Sequence, residues 1–394
     1  MKRGSKRGAS FVSIVLLTIT GSASVQGDGL DAMAGKALFD RLWVPAPAST
    51  DASDGLGPLF NARSCATCHA GGGGARTIVT ADGRVDVLGA ILRFGTSTGA
   101  HDPYYGAQLS TQAVPGLSSE GSAQFLPGMH MTLDGPPLDP GIKTSIRLAP
   151  SLRGRAAFEE ITDAEILKRA DPSDADGDGI SGRVNIVAGR VGRYGWKAQN
   201  PTLDDQIAHA FALDLGLSSP RQPHPHGDCT AAQTACLAAA TGESAALDSR
   251  EVSNQMIDLV ATYLASLAAP ARLDDGPRER LFADTGCASC HTPTLSGKSG
   301  EQVDAFTDLL LHDMGQQLDD GVGEPGVASS EWLTPSLLDG RALSDGRRYL
   351  HDGSAATIAD AIGKHGGEAQ ASRDAFLKLA PNDRTRLLEY VKGL

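Results

Sequence analysis

The sequence predicts a mainly α-helical fold in two domains, with long loops and a few short strands. At 394 residues, the chain exceeds the length that one hydrophobic core usually holds. One short cysteine–histidine motif occurs twice, at 65–69 and 287–291, and a segment with helical spacing precedes each copy. The 47 glycines and 21 prolines indicate that much of the remaining chain forms loops and turns.

The first 27 residues have the pattern of an export signal. A basic segment at 2–7 precedes a short apolar stretch at 11–20, and small residues follow. This stretch is far shorter than the roughly 20 residues that a membrane span needs. We therefore expect residues 1–27 to be a signal peptide for export to the periplasm, and we expect no membrane span. An uncleaved anchor is the alternative.

Apolar residues recur at helical spacing in several later segments. They predict helices at 33–42, 164–170, 201–217, 253–267, 276–282, 355–364 and 384–393. Alternating apolar and polar residues within 79–109 predict short strands. Because the helix at 253–267 ends at two alanines and Pro270, we place the domain boundary there. The predicted domains are 28–270 and 271–394.

Both copies of the repeated motif read Cys-X-X-Cys-His, the attachment sequence for c-type haem. Two thiols add across the vinyl groups of the porphyrin, and the adjacent histidine binds the iron. A zinc ribbon would bring its cysteine pairs closer together in sequence, and a thioredoxin-like site does not need the histidine. The motifs predict two covalent haems in two cytochrome c-like domains. The predicted residues are Cys65, Cys68, Cys287 and Cys290, with His69 and His291 as iron ligands.

The remaining cysteines, Cys229 and Cys236, have no histidine after them. In an exported protein this pair predicts a disulfide that closes a short loop. A reactive thiol pair is the alternative, and it would make the protein a thiol oxidoreductase.

An acidic loop at 174–179 matches the start of a calcium-binding loop. Asp174, Asp176 and Asp178 alternate with small residues, which predicts a calcium site. The twelfth position is Asn185 rather than a bidentate glutamate, so an ordinary EF-hand is not expected. An acidic turn that binds no ion is the alternative.

The formal net charge is −12, and loss of the basic leader would make it more negative. Such a surface repels nucleic acid and anionic membranes, and it favours a basic protein partner. A charge that only keeps the protein in solution is the alternative.

The ligand opposite each proximal histidine decides between electron transfer and peroxide chemistry. Composition alone leaves several histidines and methionines open in each half. They are His101, Met129, His130 and Met131 after the first motif, and His312, Met314, His351 and His365 after the second.

Several segments resemble the di-haem oxidoreductase (putative peroxidase) family. They are FTDLLLHDMG at 306–315, YLHDG at 349–353, AIGKHGGEA at 361–369, GPLFN at 57–61, YGWKA at 194–198 and the Cys229/Cys236 pair. This family looks related to bacterial di-haem cytochrome c peroxidases and to MauG-type enzymes. The likeness extends over nearly the whole mature chain.

The resemblance implies different roles for the two haems. In the peroxidase relatives, the second ligand of the electron-transfer haem follows a segment like that at 349–353 by about one helix. His365 falls at the matching place, so we predict a His291/His365 haem in the C-terminal domain, with Met314 as the fallback ligand. The N-terminal haem would then be the one that reacts with peroxide.

The resemblance also implies roles for two residues between the motifs. Glu159 matches the segment that lines the peroxide pocket, which makes it the candidate acid/base. The flanking residues 155–158 depart from the family pattern, so a shift of one position to Glu160 is the alternative. Trp196 matches the tryptophan that relatives use between their haems, and a plain core role is the alternative.

These inferences lead to one principal function and two alternatives. Electrons from a soluble donor, such as a small cytochrome c or a cupredoxin, would enter at the C-terminal haem and reduce hydrogen peroxide at the N-terminal haem. A variant oxidises a small-molecule or protein substrate instead. The alternatives are an electron-transfer cytochrome with two six-coordinate irons, and a thiol oxidoreductase.

Overall fold

The structure is a computed structural model of the full chain. It describes Met1 and residues 23–49, 53–79, 85–126, 130–269, 276–338 and 347–394. The predicted signal peptide lies almost wholly outside these ranges, because residues 2–22 are not described. Met129 and the domain boundary at 270/271 also lie outside them.

The helices of the described residues include a counterpart for every helix that the sequence predicted. They are α1 (Ala23–Asp40), α2 (Cys65–Cys68), α3 (Asp163–Leu167), α4 (Leu203–Leu215), α5 (Thr234–Leu237), α6 (Asn254–Ser266), α7 (Gly276–Asp284), α8 (Ile358–Gly363), α9 (Gln370–Lys378) and α10 (Pro381–Gly393). Short 3₁₀ helices occur at Ala70–Gly72, Arg155–Glu160, Ala245–Leu247, Cys287–Ser289 and Gly367–Ala369.

The strands are short and form two-stranded antiparallel sheets. They are β1 (Leu59–Phe60), β2 (Arg76–Val79), β3 (Val85–Leu88), β4 (Ala90–Gly95), β5 (Gln112–Ala113), β6 (Ser122–Leu126), β7 (His130–Asp134), β8 (Lys143–Leu148), β9 (Ile186–Val187), β10 (Arg190–Val191), β11 (Thr294–Ser296), β12 (Gln302–Asp304), β13 (Leu311–Asp313) and β14 (Glu331–Leu333). The pairs are β1–β5, β2–β3, β4–β8, β6–β7, β9–β10, β11–β12 and β13–β14.

The secondary structure is mixed rather than mainly α, which corrects part of the predicted fold class. Helix accounts for 32% and strand for 18% of the structure. Buried backbone amides and carbonyls need hydrogen-bond partners. Long connections such as 85–148 obtain these partners by pairing with each other, as β4 does with β8 over six residues.

The larger hydrophobic core is built around α1, α4 and α6. Helix α1 lies close against α6, because a side chain at Gly35 would collide with the backbone of Leu259. The ring of Phe39 packs edge-on against Tyr263 at 5.2 Å. Trp43, which follows α1, is fully buried against Phe211 of α4 at 5.9 Å. This packing fixes one face of α4 in the core and leaves its other face for the site described below.

A smaller core forms in the C-terminal half from aromatic residues of α7, α9 and α10. Phe282, Phe376 and Tyr390 are buried together with Phe306, which lies in the loop before β13. The ring of Phe282 lies 6.2 Å from that of Phe306 and 5.5 Å from that of Tyr390. This core surrounds the second Cys-X-X-Cys-His motif.

The two halves of the chain also share contacts. Leu295, Leu309 and Leu310 of the C-terminal half are buried in the larger core. Buried arginines of the N-terminal half pair with carboxylates of the C-terminal half: Arg93 with Glu324 at 2.9 Å, and Arg147 with Asp320. The division into two cytochrome c-like domains at 270/271 therefore stays a prediction.

Among the described residues, no helix combines the length and apolar character that crossing a bilayer requires.

Candidate functional site

The first Cys-X-X-Cys-His motif is a single helical turn whose histidine is held by the backbone. Helix α2 contains both cysteines, and His69 follows it. Two backbone amides just before α2, those of Asn61 and Ala62, donate to the carbonyl of Asp214 at the end of α4. The Nδ1 atom of His69 bonds to the carbonyl of Gly73 at 3.1 Å. A turn in the glycine run after the histidine supplies this acceptor: Gly71 has φ 62°, a conformation that favours glycine.

The second motif has the same local arrangement. Its cysteines begin and follow a 3₁₀ turn, Cys287–Ser289, which starts after Gly286 with φ 79°. The Nδ1 atom of His291 bonds to the carbonyl of Phe306 at 3.2 Å. A ring whose Nδ1–H donates to a carbonyl presents the lone pair of Nε2, the usual tautomer of a metal-binding histidine.

Burial keeps these groups uncharged. Burial lowers the pKa of His69 and brings the pKa of His291 to about 4. Burial, and then the nearby carboxylate of Asp214, raises the pKa values of Cys65 and Cys68 to about 12. Neutral imidazoles can bind iron, whereas thiols that stay protonated do not act as thiol-exchange nucleophiles. All four cysteines of the two motifs are free of disulfides.

A cavity of about 290 Å³ lies beside the second motif and contains both predicted ligands of its haem. Cys287, Cys290, His291 and His365 line it. His365 follows α8, and its Nδ1 atom bonds to the carbonyl of Ala361 at 2.8 Å. Burial lowers the pKa of His365, and burial together with His365 lowers the pKa of His291. The structure therefore brings two neutral imidazoles into one cavity.

The other candidates for the second ligand differ in their surroundings. Met314 and His351 also line the C-terminal cavity. His351 stacks on Trp332 at 3.7 Å, and its Nε2 lies 3.4 Å from Asp320. His312 lies between two carboxylates: Nε2 bonds to Asp308 at 2.8 Å and Nδ1 to Glu368 at 2.7 Å.

The charge of His312 follows from these partners. Burial opposes its protonation, but the hydrogen bonds that its ring makes to Asp308, Cys290 and Glu368 raise the pKa of His312 to about 12. Because both ring nitrogens are bonded and the ring is charged, His312 offers no lone pair to a metal.

A second cavity of about 230 Å³ lies beside the first motif. Cys68 and His69 line it together with one face of α4. That face carries Gln206, His209, Ala210 and Leu213, at helical spacing. Arginine and lysine side chains from other elements complete the wall, namely Arg93, Arg147, Arg155, Arg193 and Lys197.

The two cavities share a wall. Residues that line both are Leu148, Ala149, Pro150, Ser151, Arg155, Trp196, Leu333, Thr334 and Pro335. The indole Nε1 of Trp196 donates to the carbonyl of Leu148 at 2.9 Å. Its ring lies 6.4 Å from that of Trp332 and 6.3 Å from that of His351. An oriented aromatic ring therefore stands between the two motifs.

The residues present fit a haem at each motif. Each cavity is lined largely by apolar atoms, as cofactor sites are. Each contains a neutral histidine whose Nδ1 is held by a backbone carbonyl, so that Nε2 is available for iron. The neighbouring cysteines supply the thiols that c-type attachment requires.

Glu159 is not among the residues that line the N-terminal cavity. Its carboxylate accepts the backbone N–H of Leu203 at 2.8 Å, at the first turn of α4. It also lies next to the hydroxyl of Tyr194, whose pKa burial raises. The alternative, Glu160, is exposed. The acid/base role of Glu159 stays a prediction.

Two residues of α4 that the sequence reasoning did not single out are His209 and Asp214, which both line this cavity. Their signal was available in the spacing of α4: Gln206, His209 and Leu213 fall on one face, opposite the buried Ile207 and Phe211. The polar residues Gln206 and His209 on this face indicate that it contacts something other than the apolar core.

The acidic loop brings together a set of carboxylates that overlaps the predicted one. Oxygens of Asp171, Asp174 and Asp176 lie within 4.8 Å of one another. Asp178 instead accepts the backbone N–H of Ile180 at 2.8 Å. The loop adjoins the C-terminal cavity, because Ser181 donates to Glu368, which lines it.

The sulfurs of Cys229 and Cys236 lie at disulfide-bonding distance, with their Cα atoms 6.2 Å apart. A disulfide that closes this loop after α4 stays a prediction.

Comparisons with known proteins bear on the chain as a whole. No curated protein sequence matches it. A solved structure of hydrazine synthase from Kuenenia stuttgartiensis, pressurized with xenon, aligns over 99% of this chain and 100% of that chain. The identity is 15% and the TM-score 0.36, which is too low to indicate a shared fold.

A sequence model of one family matches residues 138–394, about two thirds of the chain. The match contains Trp196, the second Cys-X-X-Cys-His motif and His365, and it begins after the first motif. On this match, the chain belongs to the family described as di-haem oxidoreductase, putative peroxidase, whose members are haem enzymes.

Proposed function

We propose that this protein is an exported c-type cytochrome enzyme that reduces hydrogen peroxide. In this proposal a haem is bonded to Cys65 and Cys68 and another to Cys287 and Cys290. The residues of the C-terminal cavity would hold the haem that takes up electrons from a soluble donor, and those of the N-terminal cavity would hold the haem at which peroxide is reduced.

The observation that carries the proposal is the wall that the two cavities share. Each cavity contains one motif histidine, and Trp196 lines both. Two redox centres on either side of one oriented indole suit the passage of electrons from one to the other. A protein with two independent haems would not need a common wall.

The proposed roles of the C-terminal residues follow from their surroundings. His291 and His365 present neutral rings to one cavity, and backbone carbonyls fix both rings. Two such imidazoles leave no open position for peroxide, which suits electron transfer. Nitrogen ligands on both sides also favour a lower potential than a histidine and a methionine would.

The N-terminal cavity suits peroxide chemistry. Haem iron supplies the redox change there, and the chain supplies binding and proton transfer. The buried guanidinium groups of Arg93 and Arg147 line this cavity, each paired with a carboxylate, and they favour a polar ligand that accepts hydrogen bonds. The family resemblance implies Glu159 as the proton-transfer group, but its carboxylate accepts the backbone N–H of Leu203 and lies outside the cavity lining.

A redox titration of the purified holoprotein, followed by electron paramagnetic resonance, tests the proposal. We expect one low-spin iron and one iron with a high-spin fraction, and we expect the latter signal to change when peroxide is added to the reduced protein. Two low-spin irons that ignore peroxide would instead identify an electron-transfer cytochrome.

Export and the electron donor form part of the same proposal. The leader pattern at 1–27 suits export to the periplasm. The two motifs suit the same location, because bacteria attach c-type haem outside the cytoplasm. The net charge of −12 suits a donor with a basic docking face, such as a small cytochrome c or a cupredoxin. The rate of reduction by such a donor should fall as ionic strength rises.

The Cys229–Cys236 pair and the acidic loop are proposed as structural elements. A disulfide would close the loop after α4, and calcium would be held by Asp171, Asp174 and Asp176. Chelation of calcium should lower the unfolding temperature of the wild type but not that of Asp174→Asn. A wild type that does not respond to the chelator would contradict the calcium site.

A further inference from the structure

One histidine on α4 faces the N-terminal cavity and is not used by the roles assigned so far. His209 lines this cavity together with His69. Its neighbours on the helix, Ala208 and Phe211, are buried in the larger core. The packing of α4 against that core therefore directs His209 to the cavity side.

The orientation of the His209 ring follows from a chain of hydrogen bonds. The amide Nδ2 of Asn200 donates to Oε1 of Gln206 at 2.9 Å, which identifies the other amide atom as oxygen. That oxygen, Oδ1, lies 3.2 Å from Nδ1 of His209. An amide oxygen can only accept, so Nδ1 of His209 carries the proton. Backbone hydrogen bonds with Tyr194 hold Asn200 in place.

This orientation leaves the lone pair of Nε2 on the cavity side. Nε2 has no hydrogen-bond partner among the described residues. Burial, followed by the charge of Arg93, lowers the pKa of His209 to about 4, so the ring is neutral at physiological pH. A neutral ring with a free Nε2 can accept a proton from a molecule in the cavity.

Arg93 lines the same cavity and is itself fixed. Its guanidinium donates to Glu324 at 2.9 Å and to Gln108 at 3.5 Å. A buried cation next to a proton acceptor favours the negative charge that develops on an oxygen as a bond to it breaks. The cavity thus has a base and, on the same wall, a guanidinium held in an ion pair with Glu324.

We propose that His209 is the residue that transfers the proton of hydrogen peroxide in the N-terminal cavity, and this inference rests on the proposed peroxidase function. Nε2 accepts the proton of one peroxide oxygen and returns it to the other oxygen, which leaves as water when the O–O bond breaks. Two electrons from the external donor and two protons from solvent complete the reduction of the remaining oxygen to a second water.

Three carboxylates compete for this role, and their hydrogen bonds favour His209. Glu324 lines the cavity but is paired with Arg93 at 2.9 Å. Asp214 accepts a hydrogen bond from Nε2 of Gln108 at 3.1 Å. Glu159 is held by the backbone of Leu203, outside the cavity lining. His209 has none of these restrictions.

The test compares His209→Ala with His224→Ala, which removes an exposed histidine from the loop after α4. Stopped-flow absorbance measures the reaction of the holoproteins with peroxide and, separately, the binding of cyanide to the oxidised proteins. Cyanide arrives as HCN and must lose its proton to bind. We expect His209→Ala to slow both reactions by about 10²-fold or more, and His224→Ala to leave both unchanged.

The variants Asp214→Asn and Glu159→Gln make the test specific. An unchanged rate in His209→Ala combined with a large loss in either carboxylate variant would overturn the inference. The inference would also be overturned if His209→Ala converted low-spin iron to high-spin iron and reacted faster with peroxide. That result would identify His209 as an iron ligand. If His209→Gln has the same haem content and unfolding temperature as the wild type but reacts more slowly, the loss is chemical and not a folding defect.

The cyanide measurement separates this inference from the proposed function. A wild type that does not react with peroxide refutes the peroxidase proposal, and with it the peroxide step. Slower HCN binding in His209→Ala would then still identify His209 as the base of this cavity. If the wild type reduces peroxide but His209→Ala binds HCN as fast as the wild type does, only the role of His209 is refuted.

Discussion

The N-terminal and C-terminal cavities begin from the same motif but receive different side chains from the rest of the chain. In the C-terminal cavity, His291 shares its space with His365, and backbone carbonyls hold both rings. In the N-terminal cavity, His69 shares its space with a polar face of α4, and a side chain, Asn200, orients His209.

The difference shows how one attachment sequence can support two kinds of chemistry. A histidine whose Nδ1 is held by a backbone carbonyl, as in His291 and His365, presents Nε2 to a metal. A histidine held by another side chain, with a cation nearby, is placed for proton transfer. Assigning electron transfer to one cavity and peroxide to the other rests on this contrast, and each prediction below tests part of it.

Removing the cysteines of one motif should have the largest effect. Without both thiols, a haem has no covalent attachment, so Cys65→Ala/Cys68→Ala and Cys287→Ala/Cys290→Ala should each lower the haem-to-protein ratio from two to one. The pyridine haemochrome assay measures this ratio. A full complement of haem in either double variant would mean that the motif does not attach it.

Replacing His365 should change the C-terminal iron and leave the other unchanged. His365→Met exchanges a nitrogen ligand for a thioether, so the potential of this iron should rise by on the order of 0.1 V. A redox titration monitored by absorbance measures the shift.

His351→Ala is the matched control for His365→Met, because His351 lines the same cavity but directs Nε2 toward Asp320. If the control shifted the potential and His365→Met did not, the ligand assignment would be wrong. Met314→Leu tests the fallback ligand in the same way.

Changing the shared wall should slow the passage of electrons between the cavities. Trp196→Phe keeps an aromatic ring but removes the indole and its bond to Leu148, so electron transfer between the irons should slow several-fold. Flash photolysis of the half-reduced protein measures this rate.

Trp332→Phe serves as the control because the guanidinium of Arg147 lies over the Trp332 ring at 4.4 Å. This positive charge disfavours the loss of an electron from the indole. A larger effect of Trp332→Phe than of Trp196→Phe would reverse the assigned roles.

The smallest predicted effect concerns the pH dependence of stability. Lys197 of the N-terminal cavity is buried, and its ammonium donates to the carbonyls of Ala328, Ser329 and Glu331. Burial is the main cause that lowers the pKa of Lys197 to about 7. Arg147 also lowers this pKa, whereas the carboxylates of Asp320, Glu324 and Glu331 oppose the shift.

Between pH 7 and 10.5, the unfolded chain binds more protons at Lys197 than the folded chain does. The free energy of unfolding should therefore rise with pH in this window, by up to about 1.4 kcal/mol for each pH unit. Urea unfolding at several pH values measures the free energy of unfolding. Lys197→Met should remove its rise with pH, whereas the control Lys143→Met, at an exposed position, should retain it. An equal rise in wild type and Lys197→Met would show that Lys197 titrates normally.

Local patterns were sufficient to predict the features that depend on residues close together in the sequence. The Cys-X-X-Cys-His motifs, the helix around 203–215 and the loop of Asp174 and Asp176 all appear where the sequence indicated. Each depends on a helical period or a short fixed spacing, which a single segment determines by itself. The strand content was underestimated, because β4 pairs with β8 across some fifty residues.

The sequence by itself determined where two thiols and a histidine lie together at each motif, because neighbouring residues in one turn supply them all. Only the tertiary structure decided what faces those histidines. The packing of α1 and α6 against α4 turns His209 toward the first cavity, and the hydrogen bond to Leu203 holds Glu159 outside its lining. Such choices depend on contacts between distant segments, which no local spacing encodes.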